Sequence, residues 1–490
     1  MKTLKEKTVS GVKWQVINKV AQKVISVATF AVLARILEPS VFGIFAMAFV
    51  AIDGLAVFQS MGLDAGLVQK RDAPEAMQHT AFFMLQAMGI TMFAICFIAA
   101  PLAGKFFNNP EVGSIVRALG VVFIMSCLGK VPLSLLVKNM RFKVTAVTEL
   151  VSSITNSLCA IALVMISPTV WSLVVAYIAK QIVMTSMNWW LSGYRLKFQF
   201  DPKLAKELFH FGKFLVGLNV IWFINSQIGI IVVGKMLGAT LLGYFALARN
   251  MTNFVNTHFA QLISRVMFPA YSAIQDDPAA LKRAYMKTVK LASIFTIPFS
   301  LVVILLAHEI TLALYGEKWL PIVPLIQVMG LVQILSPMIA ASGSIFQGSG
   351  NPQYSYQLGL IHLVIKVPVL IGMTLKFGVT GAAMTLLIMH AVMVPLYLTR
   401  IRRIVAFQWC EFLAQLLPSF LAAAALSTTI IVMRLLLRDV GVSASVSLDS
   451  FAHLVAYGIT AVVAHVTVFQ CIDRTASNEV KRLLFGAVGV

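Results

Sequence analysis

Residues 34–48 read ARILEPSVFGIFAMA, and residues 234–248 read GKMLGATLLGYFALA. At an offset of 200, Leu37, Gly43, Phe45, Ala46 and Ala48 meet Leu237, Gly243, Phe245, Ala246 and Ala248 in register. Arg35 meets Lys235, and Ser40 meets Thr240. Each copy is a short turn between two apolar runs, and small residues at Gly43 and Gly243 suit a tight bend and close helix packing. A turn written twice at a fixed offset predicts an internal duplication.

The apolar runs on either side set the fold class. The chain has 490 residues, of which 59% are hydrophobic and 12% charged, with a mean hydropathy of +0.87. A water-soluble core cannot use that much apolar surface, so the surplus faces lipid. About 20 mainly apolar residues span the hydrocarbon layer as a helix. Fourteen such windows occur: 14–36, 42–62, 80–101, 114–136, 144–166, 169–191, 211–233, 241–263, 287–308, 320–344, 354–375, 378–399, 412–433 and 450–471. Breakers separate them, among them Pro39, Pro110, Pro168, Pro202, Pro278 and Gly378. Strand-period alternation is absent, which disfavours a membrane barrel.

The formal charge of +20 could suggest nucleic-acid binding, but its distribution argues otherwise. Basic clusters such as Lys2–Lys13, Lys138–Lys143, Arg195–Lys206, Lys282–Lys287 and Arg400–Arg403 fall in alternate connections. That is the positive-inside pattern. It predicts both termini in the cytoplasm and an even number of spans, with no nucleic-acid partner. The basic start lacks a small-residue cleavage site and reads as an uncleaved first helix. Cys96, Cys127, Cys159, Cys410 and Cys471 lie in or beside spans without metal or redox spacing and read as small packing residues.

The duplication extends beyond the opening turn. Lys13 meets Lys213, Trp14 meets Phe214 and Asp53 meets Asn253. Further on the offset becomes 210, and ALGVVFIMS (118–126) meets VMGLVQILS (328–336), with an insertion near AIQDDPAALKRAY. The expected architecture is an all-α polytopic membrane protein of about 14 transmembrane helices. Residues 1–200 form a six-helix lobe, 201–405 its pseudo-symmetric copy, and 406–490 two additional helices with a tail. Parallel repeats of this kind place a substrate site between the lobes.

The turn at 34–48, the segment LLVKNMRFKVTAVTEL (135–150) and the twelve-plus-two plan resemble a known family. It is the bacterial polysaccharide, or lipid-linked oligosaccharide, flippases of the multidrug/oligosaccharidyl-lipid/polysaccharide exporter superfamily. The resemblance covers essentially the whole chain, on loose motifs. It implies alternating-access export of an undecaprenyl-diphosphate-linked oligosaccharide across the bacterial inner membrane, for lipopolysaccharide or exopolysaccharide synthesis. Polysaccharide polymerase and glycosyltransferases would be partners, beside membrane lipid. A peptidoglycan-precursor flippase and a cation-coupled multidrug exporter are the rival readings.

Ionisable side chains at membrane depth are costly and mark candidate transport residues. On the first span Gln15, Lys19, Gln22, Lys23 and Ser26 share one helical face. The second span carries Asp53, Gln59, Ser60 and Asp64, and its copy carries Arg249, Asn253, Asn256, Thr257 and Gln261. Glu149, Ser152, Ser153 and Asn156 share a face of the fifth span, and the 210 offset aligns Ser152 and Asn156 with His362 and Lys366. Lys130 and Lys180 sit in the fourth and sixth spans, and His390 in the twelfth.

The intramembrane set is net cationic, which suits a diphosphate far better than an organic cation. Lys19, Lys23, Lys130, Arg249, Asn253 and Lys366 are the expected substrate-binding residues. Arg249 leads because guanidinium pairs bidentately with phosphate oxygens. Asp53, Asp64 and Glu149 are the ion-coupling candidates, for H+ or Na+. No cofactor or metal site is expected. The four Gly-Lys pairs are followed by Phe, Val, Phe and Met, so no phosphate loop is present. Short loops without paired carboxylates argue against an enzyme.

Overall fold

The computed structural model describes residues 4–59, 63, 67, 74–253 and 267–439. Asp64, Ser60, Asn256, Thr257, Gln261, Cys471 and the expected last span lie outside the described residues. All regular elements among the described residues are helical. In chain order they are α1 (Leu4–Ile36), α2 (Pro39–Ala56), α3 (Glu75–Phe106), α4 (Pro110–Lys138), α5 (Phe142–Ile166), α6 (Val170–Ser192) and α7 (Pro202–Thr252). Then follow α8 (Pro278–Leu305), α9 (Ala307–Tyr315), α10 (Val323–Leu335), α11 (Ser342–Gly348), α12 (Pro352–Val405) and α13 (Trp409–Asp439). Short 3₁₀ turns at Glu317–Ile322 and Ser336–Ile339 flank α10.

Eleven helical segments among the described residues are long and apolar enough to cross a membrane. Their outer faces stay greasy: Ile98, Met165, Ile166 and Leu375 are each more than 70% exposed, a surface that belongs in lipid rather than water.

The sequence breakers act where the chain changes direction. Pro39, Pro110, Pro202, Pro278 and Pro352 each open a helix, a position where the missing N–H costs nothing. Asn109 and Asp277 add side-chain caps, accepting from the backbone N–H of Glu111 and of Ala279 and Ala280. Pro168 lies in the gap between α5 and α6.

Two expected turns are sharper than a loop. Helices α7 and α12 each run through a glycine with non-helical torsions, Gly238 (φ 80°, ψ −175°) and Gly378 (φ 59°, ψ −140°). Residues eight apart in a straight helix lie about 12 Å apart. Here a Cβ on Gly381 would lie 2.6 Å from the Met373 carbonyl carbon, and one on Gly234 would lie 3.1 Å from Leu242 Cδ2. Each helix therefore folds back on itself, and α7 and α12 each supply two legs. The tenth expected span, 320–344, is not one helix either. Pro321, Pro324 and Pro337 divide it into 3₁₀ and α segments, because each removes a backbone donor.

The chain divides into two compact units, Met1–Gly243 and Tyr244–Val490. In the first unit α3 and α4 pack along a seam of small residues. Gly89, Cys96, Ala100 and Gly104 of α3 face Gly113, Gly120 and Cys127 of α4. A Cβ on Gly120 would meet Cys96 Cβ at 2.9 Å, and one on Gly113 would meet the Ala100 oxygen at 2.8 Å. Small residues let two helices approach where lipid gives no hydrophobic drive, so dispersion contacts hold them. Cys96 and Cys127 are fully buried in this seam, as packing residues should be.

At one end of the first unit Tyr194, just past α6, packs with Phe82, Trp189 and His79. Its hydroxyl meets His79 Nδ1 at 2.9 Å. Burial, with the Glu75 carboxylate adding to it, pushes that hydroxyl up to about 12. The second unit is built on Tyr271, Tyr285, Phe346, Phe407 and Phe412, gathered between α8, α11, α12 and α13.

The repeated turn has a counterpart in space inside the first unit. A methyl on Gly43 would overlap the Ala239 carbonyl oxygen and lie 2.6 Å from its carbonyl carbon. A methyl on Gly243 would overlap the Pro39 carbonyl oxygen and lie 2.8 Å from its carbonyl carbon. Position 43 meets 239, and 243 meets 39. That exchange is the signature of a two-fold relation between the copies.

Candidate functional site

Three polar clusters occupy the spans, two in the first unit and one in the second. The first joins α1 to α5. Glu149 Oε2 accepts from Asn18 Nδ2 at 2.9 Å and from Gln22 Nε2 at 3.1 Å, and lies 3.4 Å from Lys19 Nζ. Gln22 Nε2 also reaches Asn18 Oδ1 at 2.9 Å. Lys19 and Gln22 of the α1 stripe thus turn toward Glu149, pairing a substrate candidate with an ion candidate. Lys19 remains 53% exposed, so this contact is screened and weak as a source of stability. Lys23, one turn on, is partly buried. Lys180 of α6 senses both Glu149 and Lys19, and its ammonium stands 5.8 Å from the centre of the Tyr177 ring.

The second cluster is a cavity of about 220 Å³ between α2, α4 and α6. Asp53, Gln59, Lys130, Tyr177, Gln181 and Asn188 are among its walls. Asp53 Oδ2 accepts from Gln227 Nε2 of α7 at 2.8 Å. Gln59 Nε2 donates to Ser126 Oγ and approaches Cys127 Sγ at 3.6 Å. Two contacts fix the rotation of α6 against α4: Thr185 Oγ1 donates to the Met125 carbonyl at 2.8 Å, and Trp189 Nε1 to the Leu128 carbonyl at 2.8 Å.

The third cluster is in the second unit. Lys366 of α12 is 5% exposed, and Arg249, His362 and His390 all lie within reach of its charge. Just past the end of α7, where its backbone N–H still donates to the Arg249 carbonyl, Asn253 Oδ1 accepts from Gln333 Nε2 at 2.8 Å. Ser336 Oγ continues the chain to Gln333 Oε1 at 3.4 Å. Two cationic side chains within reach of each other's charge inside spans suit concentrated negative charge, since low polarity strengthens each pairing.

The profile of a family described as "Polysaccharide biosynthesis protein" matches residues 32–324, more than half of the chain. The chain belongs to this family.

Relatives within reach of the polysaccharide biosynthesis family carry names that agree. The chain is 24% identical over 439 residues to the "Lipopolysaccharide biosynthesis protein WzxC" of Escherichia coli (strain K12), covering 86% of this chain and 88% of that protein. It is 26% identical over 337 residues to the "Succinoglycan biosynthesis transport protein ExoT" of Rhizobium meliloti (strain 1021), covering 68% of each. Among solved structures, "Lipid II flippase MurJ, inward closed conformation" superposes with a TM-score of 0.76 at 14% identity, covering 94% of this chain and 99% of that one. An inward-facing multidrug resistance MATE family transporter of the MOP superfamily gives 0.65 at 16% identity, covering 81% and 98%. These two likenesses establish the fold: an all-α polytopic membrane protein, as the sequence predicts.

Sequence reasoning selected the charged members of each cluster and missed most of the neutral ones. Asn18, Gln181, Asn188, Gln227 and Gln333 were not singled out. Gln181, Thr185 and Asn188 follow helical spacing within an apolar span, the same signal that marked the first span. Gln227 and Gln333 carried no such stripe, and their partners are 174 and 80 residues away.

Proposed function

We propose that this member of the polysaccharide biosynthesis family is a flippase for an undecaprenyl-diphosphate-linked oligosaccharide. It carries that lipid from the inner to the outer leaflet of the bacterial inner membrane by alternating access, with both termini in the cytoplasm. The observation that carries the reading is Arg249 and Lys366, brought within reach of each other's charge in the spans of the second unit. Arg249 holds the diphosphate bidentately, and Lys366 adds a second positive charge. Asn253 orients the headgroup, and Lys19, Lys23 and Lys130 supply further positive charge along the route. The polyprenyl tail remains in lipid. The moving bodies are the lobes of the repeat, residues 1–200 and 201–405, with 406–490 appended.

The family match and the transport and biosynthesis names of the relatives favour polysaccharide precursors over drugs, and transport over enzymatic chemistry. Asp53 and Glu149 are the coupling candidates among the described residues, for H+ or Na+. Each already accepts hydrogen bonds that an arriving cation would replace. Polymerase and glycosyltransferases act on either side of the transport step as partners.

The test is complementation in cells lacking the chromosomal copy. Arg249→Ala should abolish surface polysaccharide while the protein accumulates in the membrane at the wild-type level, and Arg249→Lys should restore part of it. Wild-type polymer in the Arg249→Ala strain would overturn the assignment.

A further inference from the structure

We propose that the cavity between α2, α4 and α6 is a subsite for one uncharged sugar ring of the transported glycan. This rests on the flippase reading and assigns part of the glycan to this cavity.

The first argument is charge. The cavity has one acidic wall residue, Asp53, and one basic one, Lys130, so it holds no net charge to attract a diphosphate. Its other polar groups are amides and hydroxyls. Amides present donors and acceptors together, and a sugar hydroxyl needs both. Tyr177 adds an aromatic wall for the apolar edge of a ring.

The second argument is an unused hydrogen-bonding group. Asn188 is 2% exposed, and its Oδ1 is buried without a partner. A buried acceptor left unpaired is unfavourable, so such atoms call for a ligand or a functional reason. The side chain lies on the cavity wall. Thr185 and Trp189, on either side of it along α6, anchor that helix to α4 and hold the wall in place.

The third argument is the duplicate. By the repeat, Asp53, Phe123 and Ser126 correspond to Asn253, Gln333 and Ser336. In the second unit the amide of Gln333 bonds to both neighbours. In the first unit an apolar Phe123 stands there and the polar walls face a void. The cavity of about 220 Å³ leaves room there for a small polar ring.

The experiment measures binding to purified full-length protein in detergent. One probe is the free oligosaccharide released by mild acid from the lipid carrier of the cells that encode this chain. The other is undecaprenyl diphosphate without sugar. Asn188→Leu and Gln181→Met keep the packing volume and remove the polar groups. Each should weaken oligosaccharide binding at least tenfold while undecaprenyl diphosphate binds within twofold of wild type. Oligosaccharide binding within twofold of wild type in both variants, or an equal loss for both probes, would overturn the subsite. The wild-type arm tests the underlying reading separately, because failure of the wild type to bind undecaprenyl diphosphate would overturn the flippase assignment itself.

Discussion

Adding one methyl group at the repeated turn should be costly, and costly in a way that reveals the symmetry. The Cβ of Gly43→Ala would lie 2.6 Å from the Ala239 carbonyl carbon, where carbon atoms pack at ~3.5 Å. The two turns must therefore part by at least ~0.9 Å, the difference between those separations, and the overlapped carbonyl oxygen asks for more. For Gly243→Ala the contact is 2.8 Å from the Pro39 carbonyl carbon, and the corresponding shift is at least ~0.7 Å. Backbone lines both contacts, so no flexible side chain can give way. Overpacking of this kind costs about 1–3 kcal/mol. Each alanine variant should lose that much stability in reversible unfolding of the purified protein, and valine at either site should lose more.

The reciprocal contact adds a sharper expectation. Once the first methyl has parted the turns, the second meets less resistance, so the double variant should cost less than the two single penalties combined. Single-variant penalties below about 0.5 kcal/mol, the range of ordinary surface substitutions, would refute the close approach. Strict additivity would refute the shared contact.

Three further outcomes follow from the hydrogen bonds and the packing. Gln333→Leu leaves Asn253 without its donor and should cost about 1–3 kcal/mol, whereas Gln333→Leu with Asn253→Leu should recover much of that loss; both are read from thermal unfolding. Gly120→Leu should separate α3 from α4 and abolish accumulation in the membrane, measured by immunoblot, because its Cβ already lies 2.9 Å from Cys96. Tyr194 has a hydroxyl held at about 12, above its ordinary value of 10.0. Its contribution to stability is therefore complete below pH 10 and lost as pH rises toward 12, and Tyr194→Phe should remove that part of the alkaline transition.

Much of the fold is legible in the chain because lipid imposes a strong rule: every span must be long, apolar and helical. Prolines at 39, 110, 202 and 278 then mark helix starts with little ambiguity. The tenth span is the exception. Its hydropathy satisfies the length rule while Pro321, Pro324 and Pro337 break the helix, and a hydropathy window does not see hydrogen bonds. The candidate site was legible in its charges for the same reason, since an intramembrane lysine or arginine stands out against apolar neighbours. The pairings were not. Lys19 with Glu149 and Asp53 with Gln227 join residues more than a hundred positions apart, and helix rotation decides them. The repeat supplied one constraint across that distance. It set Asp53 beside Asn253, which predicts that Ser126 and Ser336 occupy equivalent places, and each lies beside the aligned residue's cluster.

The central claim is lipid translocation through a cationic site. Its most direct measurement is the movement of a fluorescent undecaprenyl-diphosphate oligosaccharide across liposomes containing the purified protein, followed by quenching of the outer leaflet. Wild-type protein should translocate the lipid well above empty liposomes, and Arg249→Ala should fall to the empty-liposome rate. Translocation by the variant at the wild-type rate, or none by the wild type, would contradict the account.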